Sequence, residues 1–214
     1  MPFRDTSRTA ARVVEMDIDP DSHTKDEHVL MDIVDSDIWL FERFEFLIYV
    51  FARFLSTRKE FYSTTEHHNP DQYGWARGTA FIGDTFWNTQ VVMVIKMFAD
   101  EQKIPLGSLP QWGTARKSTG VSNKLMEALG KYLYITHFPR LTPSWSNEHF
   151  WGTAFEAFFL EFQIAHPDYA SALVKCVCSQ IFPPSTAHLK DQRDMTRFLD
   201  HFISRLCIPD DMEL

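Results

Sequence analysis

The sequence has little that would mark a secreted or membrane-spanning protein. Its 214 residues include three cysteines, Cys176, Cys178 and Cys207. An odd number cannot pair completely within one chain, and two helical residues two apart point their side chains in different directions. No uninterrupted apolar run reaches the length of about 18 residues that a membrane-spanning helix needs. We therefore predict an intracellular, cytoplasmic protein with reduced thiols and no membrane segment.

Basic residues are also scarce and scattered. The chain has 21 Lys and Arg against 29 Asp and Glu, a formal net charge of −8, and no three consecutive basic residues. Proteins that bind nucleic acid approach the phosphates with lysine and arginine, and their affinity depends on that neutralisation. RNA binding is therefore not favoured as a function.

Sequence signals for a cofactor are missing too. The Cys-Xaa-Cys pair at Cys176 and Cys178 has no further Cys or His cluster that would complete four metal ligands. No nucleotide-binding loop, redox motif or nucleophile elbow is visible. We expect no cofactor, and a chemistry that acid and base side chains alone can supply.

Apolar residues are abundant, with 19 Phe and 6 Trp, and they recur at steps of three and four residues, which is the helical spacing. No segment alternates as a strand would, so the predicted fold class is all-α. Prolines and glycines separate the expected helices, which cover about 29–61, 74–98, 115–136, 148–165, 167–181 and 191–207.

Residues 1–27 lack sustained apolar periodicity and are predicted to form a flexible N-terminal arm, with one domain over 28–214. Arg4, Arg8 and Arg12 are spaced as in a mitochondrial presequence. Such presequences are poor in acidic residues, whereas this segment contains Asp5 and Glu15. A cytoplasmic location is therefore preferred to a mitochondrial one.

Three short motifs follow one another along the chain: Phe81-Ile82-Gly83-Asp84, then Val121-Ser122-Asn123, then Thr153-Ala154-Phe155-Glu156-Ala157. In this order they resemble the catalytic domain of ribonuclease III, which has a Glu-Phe-Leu-Gly-Asp helix, a Val-Ser-Asn element and a later Asp-Xaa-Xaa-Phe-Glu-Ala helix. The resemblance covers about residues 70–183. It implies a ribonuclease III-like helical domain that forms a two-fold homodimer.

The resemblance is incomplete at the metal-binding positions. The signature glutamate of the family falls on Ala80, and the aspartate of the later helix falls on Thr153. Two of the four carboxylates are thus absent, whereas Mg²⁺ needs several converging anionic oxygens. Asp84 and Glu156 could still hold one hydrated Mg²⁺ weakly, but we expect no functional metal site. The roughly thirty residues after Phe182 are too few for the double-stranded RNA-binding domain that the family often adds.

If the two motif helices face each other as the resemblance implies, their shared faces line one groove. Small side chains would leave space where the family has metal ligands, and tryptophans would supply apolar walls, as in a small-molecule pocket. The candidate catalytic residues are Asp84, Glu156 and His149, and the candidate substrate-binding residues are Ala80, Trp87, Asn88, Trp151 and Thr153.

Three functions remain open from the sequence. The preferred one is a small-molecule enzyme or binder of isomerase, dehydratase or cyclase type that accepts a hydrophobic metabolite in the former catalytic valley. In it, a carboxylate with a raised pKa transfers protons. The second is a divergent magnesium-dependent endonuclease for double-stranded RNA. The third is a catalytically inactive scaffold that binds RNA or protein.

Overall fold

The computed structural model describes residues 37–58, 70–138, 150–183, 188–189 and 192–206. Throughout these ranges the regular structure is helical, which confirms the predicted all-α class. The helices are α1 (Asp37–Ser56), α2 (Pro70–Glu101), α3 (Leu109–Gly120), α4 (Asn123–His137), α5 (Phe150–Ala165), α6 (Pro167–Ile181) and α7 (Gln192–Arg205), with a 3-10 turn at Leu106–Ser108.

The described helices belong to one compact unit, Ser36–Leu214. The arm predicted for residues 1–27 lies outside the described residues, so its boundary with the domain stays a prediction. None of the helices that the structure describes combines the length and the apolar character needed to cross a membrane.

One predicted helix is two helices in the structure. The expected helix over 115–136 is divided into α3 and α4 by a corner at Val121 and Ser122. Ser122 has an extended backbone, and its hydroxyl accepts a hydrogen bond from the Leu125 N–H at 3.3 Å. A serine in this position is a typical helix N-cap, because it satisfies an N–H that has no partner within the helix.

The core is built around α5, which packs against α2 on one side and α4 on another and also contacts α1 and α6. Its phenylalanines Phe155, Phe158, Phe159 and Phe162 are almost completely buried. Phe51 of α1 stacks on Phe162 with 4.7 Å between the ring centroids. A helix that is apolar on nearly all sides is expected at the centre of a domain, and this central position determines which other helices can reach Glu156.

Candidate functional site

The site begins with a very close contact between α2 and α5. A Cβ atom built on Gly83 would lie 2.7 Å from the carbonyl carbon of Glu156 and closer still to its oxygen. Real Cβ atoms do not approach backbone so closely, so only glycine permits this contact. The two helices therefore bring the Phe81-Ile82-Gly83-Asp84 motif directly against the helix turn that carries Glu156.

A cleft of about 370 Å³ opens beside this contact. Residues from α2, the α3–α4 corner, the start of α4 and α5 line it: Arg77, Ala80, Phe81, Asp84, Asn88, Val121, Asn123, Thr153 and Glu156. Six of these nine side chains are polar or charged. The cleft thus differs from the mostly apolar pocket that the sequence predicted, and its lining suits a ligand that makes hydrogen bonds.

Five of the predicted site residues come together in this cleft. Ala80, Asp84 and Asn88 lie along one face of α2, and Thr153 and Glu156 face them from α5. Steps of three and four residues place side chains on the same helix face, and this spacing was the sequence signal for the grouping. Ala80 is buried, whereas the other four are half-buried and remain accessible to a ligand.

The sequence assigned no site role to Val121 or Asn123, which also line the cleft. Both belong to the Val-Ser-Asn motif. The available signal was the Ser122 cap, because a capped corner between two helices turns the chain toward a neighbouring element. Asn123 stands at the start of α4 and contributes an amide to the cleft wall.

Trp87 does not line the cleft, contrary to the prediction that it forms an apolar wall. It is 1% exposed, and its ring meets Phe155 and Phe159 edge to face. Trp87 follows Asp84 by three residues, so its side chain is rotated by about 60° around the helix axis relative to that of Asp84. This rotation directs it into the core. The indole N–H donates to the Gly120 carbonyl at 2.8 Å, so Trp87 fixes the end of α3 next to the corner.

Trp151 is also absent from the cleft lining. It is buried, and its ring packs edge to face on Tyr134 of α4 with centroids 4.8 Å apart. Two residues further along α5, Thr153 points to the other side of the helix and reaches the cleft. Trp151 therefore joins α5 to α4. His149 lies outside the described residues, so its catalytic role stays a prediction.

The carboxyl of Glu156 has a pKa that its surroundings shift well above the ordinary value. Burial and, to a smaller extent, the nearby negative charge of Asp84 together raise the pKa of its carboxyl from an ordinary value of 4.5 to about 7. Removing a carboxylate from water disfavours the charged form, as does a second carboxylate close by. At neutral pH the Glu156 carboxyl is therefore divided between its protonated and ionised forms, and it can both donate and accept a proton.

Among the described residues that line the cleft, two are carboxylates that a cation could bind, Asp84 and Glu156. In the part of the chain that the structure describes, no group of three or more His, Cys, Asp or Glu side chains is arranged to hold a metal ion. Ala80 and Thr153, which replace the acids of the resembled family, both line the cleft. An octahedral Mg²⁺ bound there would keep most of its ligands as water.

No protein-family model, curated protein or solved structure matches the chain. The relation to ribonuclease III therefore depends on the three motifs alone and stays a proposal.

Proposed function

We propose that the chain has a ribonuclease III-like fold reused as an enzyme for a small polar molecule, with Glu156 as the group that transfers protons. The single observation that supports this most is the position of Glu156, in a cleft beside Asp84 and with a pKa of about 7. A general acid or base works best when its pKa is near the operating pH. Environments that shift carboxylates in this way are frequent at active sites.

Paired carboxylates in different environments suit reactions that remove a proton at one atom and return it at another. With its raised pKa, Glu156 is partly protonated near neutral pH and would donate its proton first, while Asp84 would bind or orient the substrate. Isomerisation, dehydration and cyclisation all need such a transfer and no external redox partner. These reaction classes are the ones that we propose.

The polar lining of the cleft favours a polar substrate over the hydrophobic metabolite that the sequence predicted. Arg77, Asn88, Asn123 and Thr153 offer a positive charge, two amides and a hydroxyl. Burying a polar group costs free energy unless it finds a hydrogen-bond partner. A hydrophobic metabolite that covered Asn88, Asn123 and Thr153 would separate their amides and hydroxyl from water without offering a hydrogen bond in exchange. A molecule with hydroxyl, carbonyl or acidic groups would offer one. We therefore propose a polar substrate in place of the hydrophobic one that the sequence suggested.

A ligand screen tests this proposal. Polar metabolites would be screened by thermal shift, and binding compounds would be mapped by amide chemical shifts in NMR. We expect shifts at Asp84, Asn88, Asn123 and Glu156, and an affinity about tenfold lower in Asn88→Ala, because one or two hydrogen bonds to the ligand are lost. The control is Thr85→Ala, an exposed residue on α2 that lines neither the cleft nor the dimer seam proposed below.

Ligands that map elsewhere and bind Asn88→Ala as well as the unaltered protein would contradict the proposal. The same preparation should be incubated with double-stranded RNA and Mg²⁺. We expect no detectable cleavage, since Ala80 and Thr153 supply no charge. Efficient cutting that disappears in Asp84→Ala would instead favour the divergent nuclease.

We also propose that the protein is a homodimer that pairs through the outer face of α2. Ile82, Phe86 and Met93 are 48%, 42% and 61% exposed on this face. Together with Thr89 they are spaced four, three and four residues apart, which is the spacing of a helix–helix seam. The run Val91–Ile95 is apolar on every side, and from the sequence we expect it to pack against both the core and a partner. In the single chain Val91, Val94 and Ile95 are buried, whereas Val92 and Met93 are exposed.

Light scattering should give twice the 25.0 kDa chain mass at micromolar concentration. Phe86→Lys places a charge in the seam and should lower the mass to that of one chain. Ile164→Lys on α5 is the control, because Ile164 is 72% exposed and lies outside the seam. A single-chain mass for the unaltered protein would contradict the dimer and would leave the proposal for the cleft unchanged.

A further inference from the structure

The first turn of α5 is attached to α4 by a carboxylate and by two close glycine contacts. The Gly152 N–H donates to Glu127 Oε2 at 3.0 Å. A Cβ built on Gly152 would lie 3.3 Å from the Cβ of Met126, and one on Gly130 would lie 2.7 Å from the carbonyl carbon of Trp151. The start of α5 therefore lies nearly in backbone contact with α4.

Glu127 acts here as a helix cap supplied by a different helix. The first N–H groups of a helix have no acceptor within it, and a negative charge near them is favoured by the helix dipole. A hydrogen bond from such an N–H to a carboxylate is also stronger than one between neutral groups. The side chain of Glu127 is 24% exposed, and Lys131 Nζ lies 3.9 Å from its other oxygen.

The capped turn leads directly to the candidate site. Glu156 follows Gly152 by four residues, which is one helical turn or about 6 Å along the axis, on the same side of α5. Thr153, which follows Gly152 directly, also lines the cleft. At Glu156 itself the backbone of α5 abuts Gly83 of α2. The turn between Gly152 and Glu156 is thus held at one end by Glu127 and at the other by Gly83.

We propose that Glu127 is the positioning residue of the site: its bond to the Gly152 N–H fixes the turn that carries Thr153 and Glu156 against the cleft. This inference builds on the proposed function, because it explains how the proton-transfer group is held in place. Without the bond, the first turn of α5 would fray, water would reach the Glu156 carboxyl, and the desolvation of that carboxyl would decrease.

The experiment follows the Glu156 carboxyl by ¹³C NMR as the pH is raised, in the full-length protein. In Glu127→Ala we expect the midpoint of the Glu156 titration to fall by about one pH unit toward the value of a solvated glutamate. Glu127→Gln keeps an oxygen that can accept the Gly152 N–H, so its midpoint should stay close to that of the unaltered protein. Lys131→Ala removes the ion-pair partner but not the cap, and it should behave in the same way.

If Glu127 had only a structural role, Glu127→Ala would lower the melting temperature but leave the titration midpoint of Glu156 unchanged. That result would overturn the proposal. If Glu127→Ala does not fold, Glu127→Asp replaces it, because its carboxylate is one methylene too short to keep the bond. A lowered midpoint in Glu127→Asp supports the proposal, and an unchanged one overturns it.

This titration needs no ligand, so its result and that of the ligand screen can be told apart. If the titration midpoint of Glu156 depends on Glu127 but the ligand screen finds no compound that binds the cleft, only the proposed function is refuted. If the cleft binds a ligand but the titration midpoint of Glu156 is the same in the Glu127 variants, only the positioning role is refuted.

Discussion

Replacing Gly83 with alanine should lower the free energy of unfolding by about 4 kcal/mol or more, or prevent folding altogether. The new methyl group would lie 2.7 Å from the carbonyl carbon of Glu156. The obstacle is backbone in the middle of α5, which cannot rotate aside as a side chain can. The two central helices would have to separate, and the cleft beside them would change shape.

Gly78→Ala is the matched control for this substitution. Gly78 lies on the same helix, is exposed, and has nothing within 4 Å of the position that a Cβ would occupy. Alanine is favoured over glycine inside a helix by about 0.5–1 kcal/mol, so this variant should be as stable as the unaltered protein or slightly more stable. Urea denaturation measures both. Equal stability of the two variants would show that α2 and α5 are not in close contact at Gly83.

Glu156→Gln should remove a large part of the pH dependence of stability. The pKa of Glu156 in the folded protein, about 7, is above its ordinary value of 4.5. Between these values the folded state binds more protons than the unfolded state, so the free energy of unfolding falls as the pH rises through this window. Above it, the folded protein carries the full cost of a partly buried charge. That cost is on the order of 1–2 kcal/mol when the partial exposure of the side chain is considered.

The glutamine variant should therefore match the unaltered protein near pH 4 and exceed its stability at pH 8. Glu42→Gln on α1 is the control, since Glu42 is exposed and lies outside the cleft. It should keep the loss of stability between pH 4.5 and 7 that depends on Glu156. Once a substrate is known, Glu156→Gln should also reduce turnover by about 10²–10⁴-fold, the usual contribution of a general acid or base. Parallel pH profiles for Glu156→Gln and the unaltered protein would contradict the raised pKa.

The helical fold could be predicted from the sequence because apolar residues at steps of three and four recur along the chain. The corner at Ser122 was missed for a local reason: Lys124-Leu125-Met126 continues the helical apolar pattern, although a new helix begins directly after the serine cap. A cap of this kind is a short signal that a periodic pattern conceals.

The candidate site was predicted in part. Helical spacing grouped Ala80, Asp84 and Asn88 correctly, but it also admitted Trp87, because steps of three and four residues deviate to opposite sides of a helix face. Only the packing of α2 against α5 decides which of the two sides is buried. The contact at Gly83 could not be predicted either, since a glycine within a helix does not reveal what lies opposite to it.

The polarity of the cleft was the largest difference from the sequence expectation. Trp87 and Trp151 suggested apolar walls, yet both side chains are buried in the core. The walls come instead from Arg77, Asn88 and Asn123, on two other helices. Where three helices meet, the residues next to a side chain in sequence therefore do not predict which residues surround it in space.

Titration of the Glu156 carboxyl by ¹³C NMR, in the unaltered protein and in Asp84→Asn, tests the account most directly. We predict a midpoint near pH 7 in the unaltered protein. A lower midpoint is expected in Asp84→Asn, because that substitution removes the negative charge that adds to the effect of burial. A midpoint near 4.5, the ordinary value for glutamate, would show that the carboxyl is fully solvated, and the proposed proton-transfer role of Glu156 would then be wrong.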